Sequence, residues 1–526
     1  MPPLTDNLIH LPTELLVSVW SYLPNRDIKS LRLTCSAIYA TARLRLDGVF
    51  ISANPRNIDV FRAIADHDTF RKEIVEIIWD DAHLAESRHD EGSDLYYGLN
   101  PRYSVECPWW YGEECRENIG DLWGRKGSDI NRPDHEARAK QVAAQLPVTE
   151  SWAYYRKLLH QQTEVVLSHA DADAFAYGLQ RFPSLRRITV TPATHGFTFC
   201  PLYETPMIRA FPYGFNYPIP RGWRASADIG PFHRPRPWVE EAGISRGEVE
   251  AEKRKWRGFS IVTRLLAQHM RCQSQHRISE FVVDVHQLST GLNCHIFDQP
   301  CDEYDNLAAI LRQPGFRRVD LALTILGIEN EDWRSYRHGY LERALGNATG
   351  LEHVSLTTDV EDLTADMEEI YPHNSGSLEF FVPFLVQQAD VLAFLAALPE
   401  TLRSVELSFL KFLDDGSYRD LMDGMRQTMG WHKRAVAARP AVSIALYIMP
   451  LTPDDGRALW LTKELSDFLY GDGPNPFRTE WGPNWVSYGT GVMRDEFEPA
   501  HERPNEEHSE LIRLGYLDEN HQYGLE

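Results

Sequence analysis

A short apolar pattern recurs along this chain and restricts the folds that it can adopt. An apolar residue is followed by two spacers, a second apolar residue, one spacer and a third apolar residue. The last two positions alternate as a strand requires, and the first anchors the turn into the strand. The copies are Ile74, Ile77 and Trp79; Leu185, Ile188 and Val190; Ile278, Phe281 and Val283; Phe316, Val319 and Leu321; Leu351, Val354 and Leu356; and Leu402, Val405 and Leu407.

Helix-like segments precede several of these strands, at 172–182, 259–270, 307–311, 343–345 and 391–398. Alternation of helix and short strand predicts parallel strands joined by right-handed crossovers. We therefore predict an α/β fold. The repeat is similar to a leucine-rich-repeat solenoid, in which stacked units bury a shared core and the strands form a concave wall.

The irregular spacing of the repeats leaves a second architecture open. Phe316 and Leu351 are 35 residues apart, whereas Leu185 and Ile278 are 93 apart. The asparagine of regular leucine-rich repeats is also absent after each strand. We predict an irregular leucine-rich-repeat-like α/β solenoid with insertions, and the alternative is a plain α/β domain with a parallel sheet.

Two aromatic-rich segments interrupt the repeats, at 83–150 and at about 192–258. The first contains Trp109-Trp110-Tyr111 and the second contains Trp223. Neither shows a sustained helical or strand period, so we predict irregular insertions. Their aromatic side chains would serve as exposed recognition anchors or would pack over the repeat core, and the sequence leaves both possibilities open.

The first fifty residues predict three short helices. Pro12 suits the first helical turn because no backbone N–H is needed there. Pro24 ends this helix, and Asn25 and Asp27 are both good N-cap types for the next one. The apolar side of the first helix is predicted to carry Leu15, Leu16, Val19 and Leu23, with Trp20 on its flank. A segment this small buries only a modest core, so we expect a partner to cover much of its apolar surface.

The order Leu-Pro, Glu-Leu-Leu, Asp, Leu and Cys in this stretch resembles the F-box, over about residues 8–48. In that family the module binds the small Skp-type adaptor of cullin-RING ubiquitin ligases. Ile28 stands where the family usually has Leu, and Ile38 stands where many members have Trp. The alternative is a helical cap without an outside partner. The resemblance implies that the adaptor-binding residues are Leu11, Pro12, Leu15, Leu16, Ile28, Leu31 and Cys35.

The acidic composition argues against two classes of partner. A formal net charge of −22 disfavours nucleic-acid phosphate and anionic membranes. Seven cysteines with uneven spacing suit a reducing compartment better than a disulfide framework. Residues 1–10 lack an apolar run of signal-peptide length, and we find no membrane span in the sequence. A cytoplasmic or nuclear location, or both, is therefore predicted.

Residue patterns typical of catalysis are missing from the sequence. It contains no serine elbow, phosphate loop, His-Glu-x-x-His motif or dinucleotide-binding glycine motif. Asp80 and Asp81 are expected to leave the end of a strand into solvent, and Asp171 is expected to cap a helix. Cys107 with Cys115 lacks the spacing of metal ligands. We predict a non-enzymatic chain with no catalytic residues, no cofactor and no metal site.

These features together predict a substrate-recognition subunit of a Skp–cullin–F-box (SCF) type ubiquitin ligase. The F-box at 1–48 would bind the Skp-type adaptor and through it cullin, and an unknown protein substrate would bind the repeat-like domain at 151–450. Residues 49–82 would form a linker helix and the first repeat strand, and 451–526 would form a C-terminal segment with an acidic tail. A non-ligase interaction scaffold built on the repeats is the alternative.

Overall fold

The computed structural model describes residues 11–23, 25–85, 107–130, 133–220, 223, 235–241, 243–273, 276–288, 290–325, 338–358, 384–413, 416–446, 456–478, 485–498 and 502–520. The fold is mixed α/β with parallel and antiparallel sheets. The helices are α1 (Thr13–Ser21), α2 (Asn25–Arg32), α3 (Ser36–Thr41), α4 (Pro55–Asp66), α5 (Phe70–Glu73), α6 (Trp109–Lys126), α7 (Pro133–Ala143), α8 (Val148–Ser168), α9 (Ala170–Arg181), α10 (Arg246–Lys255), α11 (Arg257–Cys272), α12 (Asp302–Leu311), α13 (Tyr340–Gly346), α14 (Gln388–Ala397), α15 (Tyr418–Thr428), α16 (Thr462–Tyr470) and α17 (His508–Arg513).

The strands are β1 (Gly48–Ile51), β2 (Glu76–Asp80), β3 (Arg187–Thr191), β4 (Glu280–Val283), β5 (Leu292–Asn293), β6 (Arg318–Thr324), β7 (His353–Thr358), β8 (Phe384–Val386), β9 (Ser404–Glu406), β10 (Leu410–Phe412), β11 (Ala441–Ser443), β12 (Ala445–Leu446), β13 (Arg457–Trp460), β14 (Phe477–Arg478), β15 (Trp485–Val486), β16 (Val492–Asp495) and β17 (Glu502–Pro504).

A seven-stranded parallel sheet organises the first two thirds of the chain. Strands β1, β2, β3, β4, β6 and β7 pair in chain order, and the short β5 pairs with the end of β6. Each crossover between successive strands of this series carries at least one helix: α4, α9, α11, α12 and α13. Strands in chain order with helical crossovers are what the alternating sequence pattern predicts.

The predicted repeat positions fall in register across this sheet. One row consists of Val49, Ile77, Ile188, Phe281, Val319 and Val354. The strand-entry residues Ile74, Leu185 and Phe316 are buried as well. Leu46, Val49 and Ile51 repeat the same spacing at β1. The sequence prediction omits this copy because it assigns residues up to 48 to the N-terminal helices.

One face of the sheet packs against a layer of helices. Phe61 on α4, Phe175 on α9 and Phe259 on α11 are fully buried against the strand rows. Burying a side chain of this size contributes roughly 1.5 to 3 kcal/mol. Helices α4 and α9 meet at Gly178, where an added Cβ would lie 2.3 Å from Phe61 Cζ. Only glycine allows this approach while Phe61 keeps its position.

The sixth predicted repeat lies outside the large sheet. Val405 is in β9, which pairs with β11, and β8 pairs separately with β10. Strands β12, β13, β16 and β17 form an antiparallel sheet beside them. The structure therefore differs from the predicted boundary at residue 450, because β12 pairs with β13 across it. Residues after 456 complete a folded unit with α15 and α16, whose core includes Leu421, Leu465 and Phe477.

The first predicted insertion contains two helices, α6 and α7, which differs from the irregular structure that we predict. Helix α6 buries the polar Asn118 and Arg125 and contains Gly112 and Gly120, so its sequence lacks a clear apolar stripe. Its aromatic residues join those of α8 and of the second insertion. This aromatic cluster consists of Trp110, Tyr111, Trp152, Tyr155, Phe215 and Tyr217.

A buried ionic network joins the first insertion to the antiparallel sheet. Asp495 on β16 lies 2.6 Å from Arg125 on α6 and 2.7 Å from Arg457 on β13, and all three side chains are buried. Arg138 on α7 pairs with Glu498 at 2.6 Å. Two acidic residues of the predicted C-terminal segment, Asp495 and Glu498, are thus part of the interior. In the described ranges, no helix has both the length and the apolar character needed to cross a bilayer.

Candidate functional site

The N-terminal helices α1, α2 and α3 form a module with its own core. The core residues are Leu16, Trp20, Ile28, Ile38 and Ala42. Leu23, Leu31, Cys35 and Leu44 pack around it and are partly buried. This apolar cluster contains no residue from beyond 44, so the module is a separate packing unit from the large sheet.

A stripe of apolar side chains runs along the outer side of α1. Leu15 is 53% exposed, Val19 41% and Tyr22 85%, and Leu11 just before the helix is 40% exposed. Leu15, Val19 and the C-cap residue Tyr22 are four and three residues apart, which places them on one helical face, and Leu11 precedes the helix. Large apolar side chains grouped on a surface mark an interaction site. We call these four residues the outer stripe.

The structure separates the seven predicted adaptor-binding residues into three groups. Leu11, Pro12 and Leu15 are exposed, and Leu31 and Cys35 are partly buried. Leu16 is 6% exposed and Ile28 is fully buried. The structure therefore corrects the prediction for these two residues: they hold the module together and do not face outward.

The outer stripe includes residues that the sequence prediction places elsewhere or omits. The prediction puts Val19 on the same side as Leu16, but the inner side carries Leu16, Trp20 and Leu23 instead. These three are spaced by four and three residues, which is one helical face. In an apolar run this dense, either of two helical faces could turn inward. The position of α3 decides which of them does. Three further exposed apolar residues are Val17, Leu33 and Tyr39.

Arg45 ties the segment between α3 and β1 back to the end of α1 and the start of α2. Its guanidinium donates to the backbone carbonyls of Ser21 and Leu23 at the end of α1. Its backbone N–H donates to Asn25 Oδ1 at 2.9 Å, and Asn25 Nδ2 donates to the Arg45 carbonyl at 2.5 Å. Carbonyls at a helix end lack partners within the helix, so this contact satisfies groups that α1 leaves open.

The carboxylates of Asp80 and Asp81, at the end of β2, are buried. Asp80 and Asp81 are 2% and 1% exposed, which corrects the prediction that they reach solvent. Asp81 accepts hydrogen bonds from Trp223 Nε1 at 2.7 Å and from the Gly258 N–H at 2.9 Å. Burial raises the pKa of Asp81, and the nearby His83 and the hydrogen bond from Trp223 act in the opposite direction.

Asp171 has a different structural role from the predicted one. The residue at the N-cap position of α9 is His169, and Asp171 lies within the first turn. Both oxygens of Asp171 accept from the Arg257 guanidinium, at 2.5 and 2.9 Å. This bidentate pair and the Asp81 contact together hold the start of α11.

The aromatic residues of the second insertion pack inward. Trp223 and Trp238 are each 2% exposed. The Trp238 Nε1 atom donates to Glu303 Oε2 at 2.9 Å, and Trp256 Nε1, at the start of α11, donates to the Gly291 carbonyl at 2.8 Å. Of the two possibilities for these side chains, the structure therefore has the packed one. Tyr213 is an exception at 60% exposure.

Cysteine and histidine side chains do not assemble a metal site in the part of the chain that the structure describes. All seven cysteines are free. No group of three or more potential ligands occurs among the described residues. His295 Nδ1 lies 2.7 Å from Asp298 Oδ2. Cys294 is buried, and Cys301 instead accepts from the Tyr304 N–H at the start of α12.

The outer stripe is therefore the candidate functional site with the clearest geometry. It lies on a module with a separate core, and Arg45 ties the segment that leads to β1 back to this module. Comparison with protein-family models gives no match for this chain, and a search of curated proteins gives no significant match either.

Proposed function

We propose that this chain is the substrate-recognition subunit of an SCF-type ubiquitin ligase. The module of α1 to α3 would bind a Skp-type adaptor and through it cullin. The observation that carries the proposal is the outer stripe, because four apolar side chains in α1 and at its two ends stay at the surface although the helix already buries its other face. Three of its neighbours in sequence, Pro12, Glu14 and Leu16, match the F-box order.

The fold of the remaining chain supports a receptor role. Parallel strands that pair in chain order, each with a helical crossover, are typical of leucine-rich-repeat solenoids, which bind proteins on the strand face. The strand face opposite the helices is covered near β2 to β4, where Ile78, Thr189 and Val282 are buried. It is more open at β7, where His353 and Thr357 are exposed. We propose the β6–β7 end as the substrate-binding part of this face.

The charged side chains on that face favour recognition of a substrate by shape and by polar and apolar contacts, rather than by arginine binding of a phosphate group. Arg187 pairs with Glu280 at 2.7 Å, and Arg318 pairs with Asp320 at 2.5 Å. Each guanidinium already has a carboxylate partner on the sheet. A phosphorylated substrate would have to compete with these carboxylates for the arginines.

In this proposal the chain acts by proximity and performs no chemistry of its own. The adaptor would hold it on cullin, and bound substrate would gain a high effective concentration near the ubiquitin-conjugating enzyme. No cofactor is required for that role. The expected location is the cytoplasm, the nucleus or both, where such ligases act.

The proposal is tested by co-purification of the full chain with a Skp-type adaptor. The Leu15→Ser and Val19→Ser double variant removes two members of the outer stripe. Each side chain is about half exposed, so the pair should contribute about 2 kcal/mol on docking, or about thirtyfold in affinity. Val17→Ser is the matched control, because Val17 is 54% exposed on a different side of α1.

We expect the wild-type chain and the Val17→Ser variant to bind the adaptor equally and the double variant to bind far more weakly. Circular dichroism would check that all three fold. Failure of the wild-type chain to bind any Skp-type adaptor would overturn the ligase proposal and leave the interaction scaffold. Equal binding by the double variant would show that docking uses another surface.

A further inference from the structure

Four cationic side chains, Arg403, Lys433, Arg434 and Arg439, lie close together on the C-terminal unit. Arg403 comes directly before β9, and the other three belong to the loop between α15 and β11, the strand that pairs with β9. Arg403 and Lys433 are exposed, and Arg434 and Arg439 are half-buried. We call these four residues the basic cluster.

Contacts with the backbone bring the members of the basic cluster together. Arg403 Nη1 and Arg434 Nη1 each donate to the Glu400 carbonyl at 3.3 Å, so the two nitrogens are at most twice that distance apart. The Arg439 guanidinium donates to the carbonyls of His432 and Arg434, at 2.9 and 3.1 Å. The positive charges are therefore concentrated on one part of the surface.

Within the described ranges, no carboxylate oxygen lies within 4.0 Å of a side-chain nitrogen of the basic cluster. Glu400 and Glu406, the acidic residues nearest to Arg403 in sequence, form no ion pair with it in this part of the chain. Arg187 and Arg318, by contrast, pair with carboxylates at 2.7 and 2.5 Å. In a chain with 76 acidic and 54 basic side chains, this local excess of positive charge is available to a partner.

An exposed apolar side chain lies between two arginines of the basic cluster. Val436 is 79% exposed, in a short 3-10 turn. The loop that carries it is held at both ends, since Trp431 is 5% exposed in the core and the Pro440 carbonyl accepts from the Tyr470 hydroxyl at 2.5 Å. A loop held in this way presents its side chains without first having to be ordered, which reduces the entropic cost of binding.

We propose that the basic cluster binds an acidic segment of a partner protein through its carboxylates, with an apolar side chain of that segment against Val436. Carboxylates are complementary to guanidinium N–H donors, and several separate cations match charges that are spread along a chain. A nucleic acid is also anionic, but the net charge of −22 on the whole chain repels a polyanion of that size. The surface belongs to the unit of α15 and α16, so this proposal goes beyond adaptor docking and does not depend on it.

The test is titration of a fluorescein-labelled, glutamate-rich peptide that has one leucine at its centre with the full chain, followed by fluorescence anisotropy. We expect saturable binding that weakens as the salt concentration rises. The Arg403→Glu and Lys433→Glu double variant should bind about tenfold more weakly, because two exposed attractive contacts become repulsive. The matched control is Arg264→Glu with Lys157→Glu, which makes the same change in net charge at exposed sites on α11 and α8 and should bind as wild type does.

Two further comparisons define the chemistry of the partner. The same peptide with glutamine in place of glutamate should not bind. Val436→Ser should weaken binding of the leucine peptide about threefold and should leave binding of a peptide with serine at that position unchanged, because only leucine has an apolar side chain to bury. Circular dichroism and thermal denaturation would check that each variant folds as wild type does.

Any of three results would overturn the proposal. The first is no binding of the acidic peptide by wild type, and the second is equal weakening in the control double variant, which would mean that only the net charge matters. The third is binding only of a peptide with phosphoserine in place of glutamate, which would assign phosphate as the ligand. The Arg403→Glu and Lys433→Glu variant should bind a Skp-type adaptor as wild type does, because both residues lie outside the N-terminal module, so this proposal can fail while the docking proposal stands.

Discussion

At the scale of single residues, Asp80 makes the stability of the fold depend on pH. Burial raises its pKa from 3.8 to about 7, and the Ala82 N–H and the Thr194 hydroxyl only partly oppose this. The folded state therefore keeps the Asp80 proton at pH values where the unfolded chain has lost it. Stability falls as the pH rises from about 4 to about 7 and is level above that, as far as Asp80 contributes.

Asp80→Asn removes this loss, since asparagine stays neutral and its carbonyl can still accept from Ala82. The variant should be more stable than wild type, and we expect this difference in the free energy of unfolding to grow by about 2 kcal/mol from pH 5.5 to pH 8. Urea denaturation of both proteins at the two pH values measures it. Asp68→Asn is the control, because the Asp68 side chain is 88% exposed, and it should show no comparable gain. A stability difference that does not grow with pH would contradict the raised pKa of Asp80.

At the scale of elements, the contacts of Arg45 should decide how firmly the end of α1 is held against the segment that leads to β1. Arg45→Ala removes two charged hydrogen bonds to the end of α1. The site is exposed, so we expect a loss of about 1 kcal/mol, seen as about fivefold faster hydrogen exchange near 21–25. The large sheet should exchange as in wild type. Arg43→Ala is the matched control, since Arg43 is also exposed on the same segment. Equal exchange in both variants would show that other contacts hold the end of α1.

Elements were predictable from the sequence where one periodicity dominated. Ile77, Ile188, Phe281 and Val319 lie in register because a strand period of two leaves one arrangement for a buried row. Helix α6 could not be predicted, since a helix buried on several sides with a buried arginine has no single apolar stripe.

The candidate docking site was predictable in location but only partly in detail. The order of residues 11–35 indicates a three-helix module with apolar residues to spare. Which of Leu15 and Leu16 faces inward depends on the position of α3, whose Ile38 fills the core. The basic cluster was not predictable, because the sequence does not show which cations come together without a carboxylate between them.

At the scale of the whole molecule, the buried ionic network makes the insertion and the C-terminal sheet depend on each other. Asp495 pairs with Arg125 and Arg457, which come from segments more than 300 residues apart, and its side chain has no exposed surface. The Arg125 guanidinium also stacks on the Phe197 ring, 3.8 Å from its centroid. A buried pair of this kind adds little net stability over apolar packing, but breaking it leaves charges without compensation.

Asp495→Asn should therefore lower the free energy of unfolding by about 3 to 5 kcal/mol, because two buried arginines lose their shared carboxylate. Glu502→Gln removes the partner of Arg494 in an exposed pair on the same sheet and should cost about 1 kcal/mol or less. Urea denaturation measures both, and hydrogen exchange reports where the structure opens. If the two segments are coupled through Asp495, α6 and β16 lose protection together in the Asp495→Asn variant. Loss of protection in β16 alone would show that α6 is held by the aromatic cluster, and the two parts of the molecule would then be energetically separate.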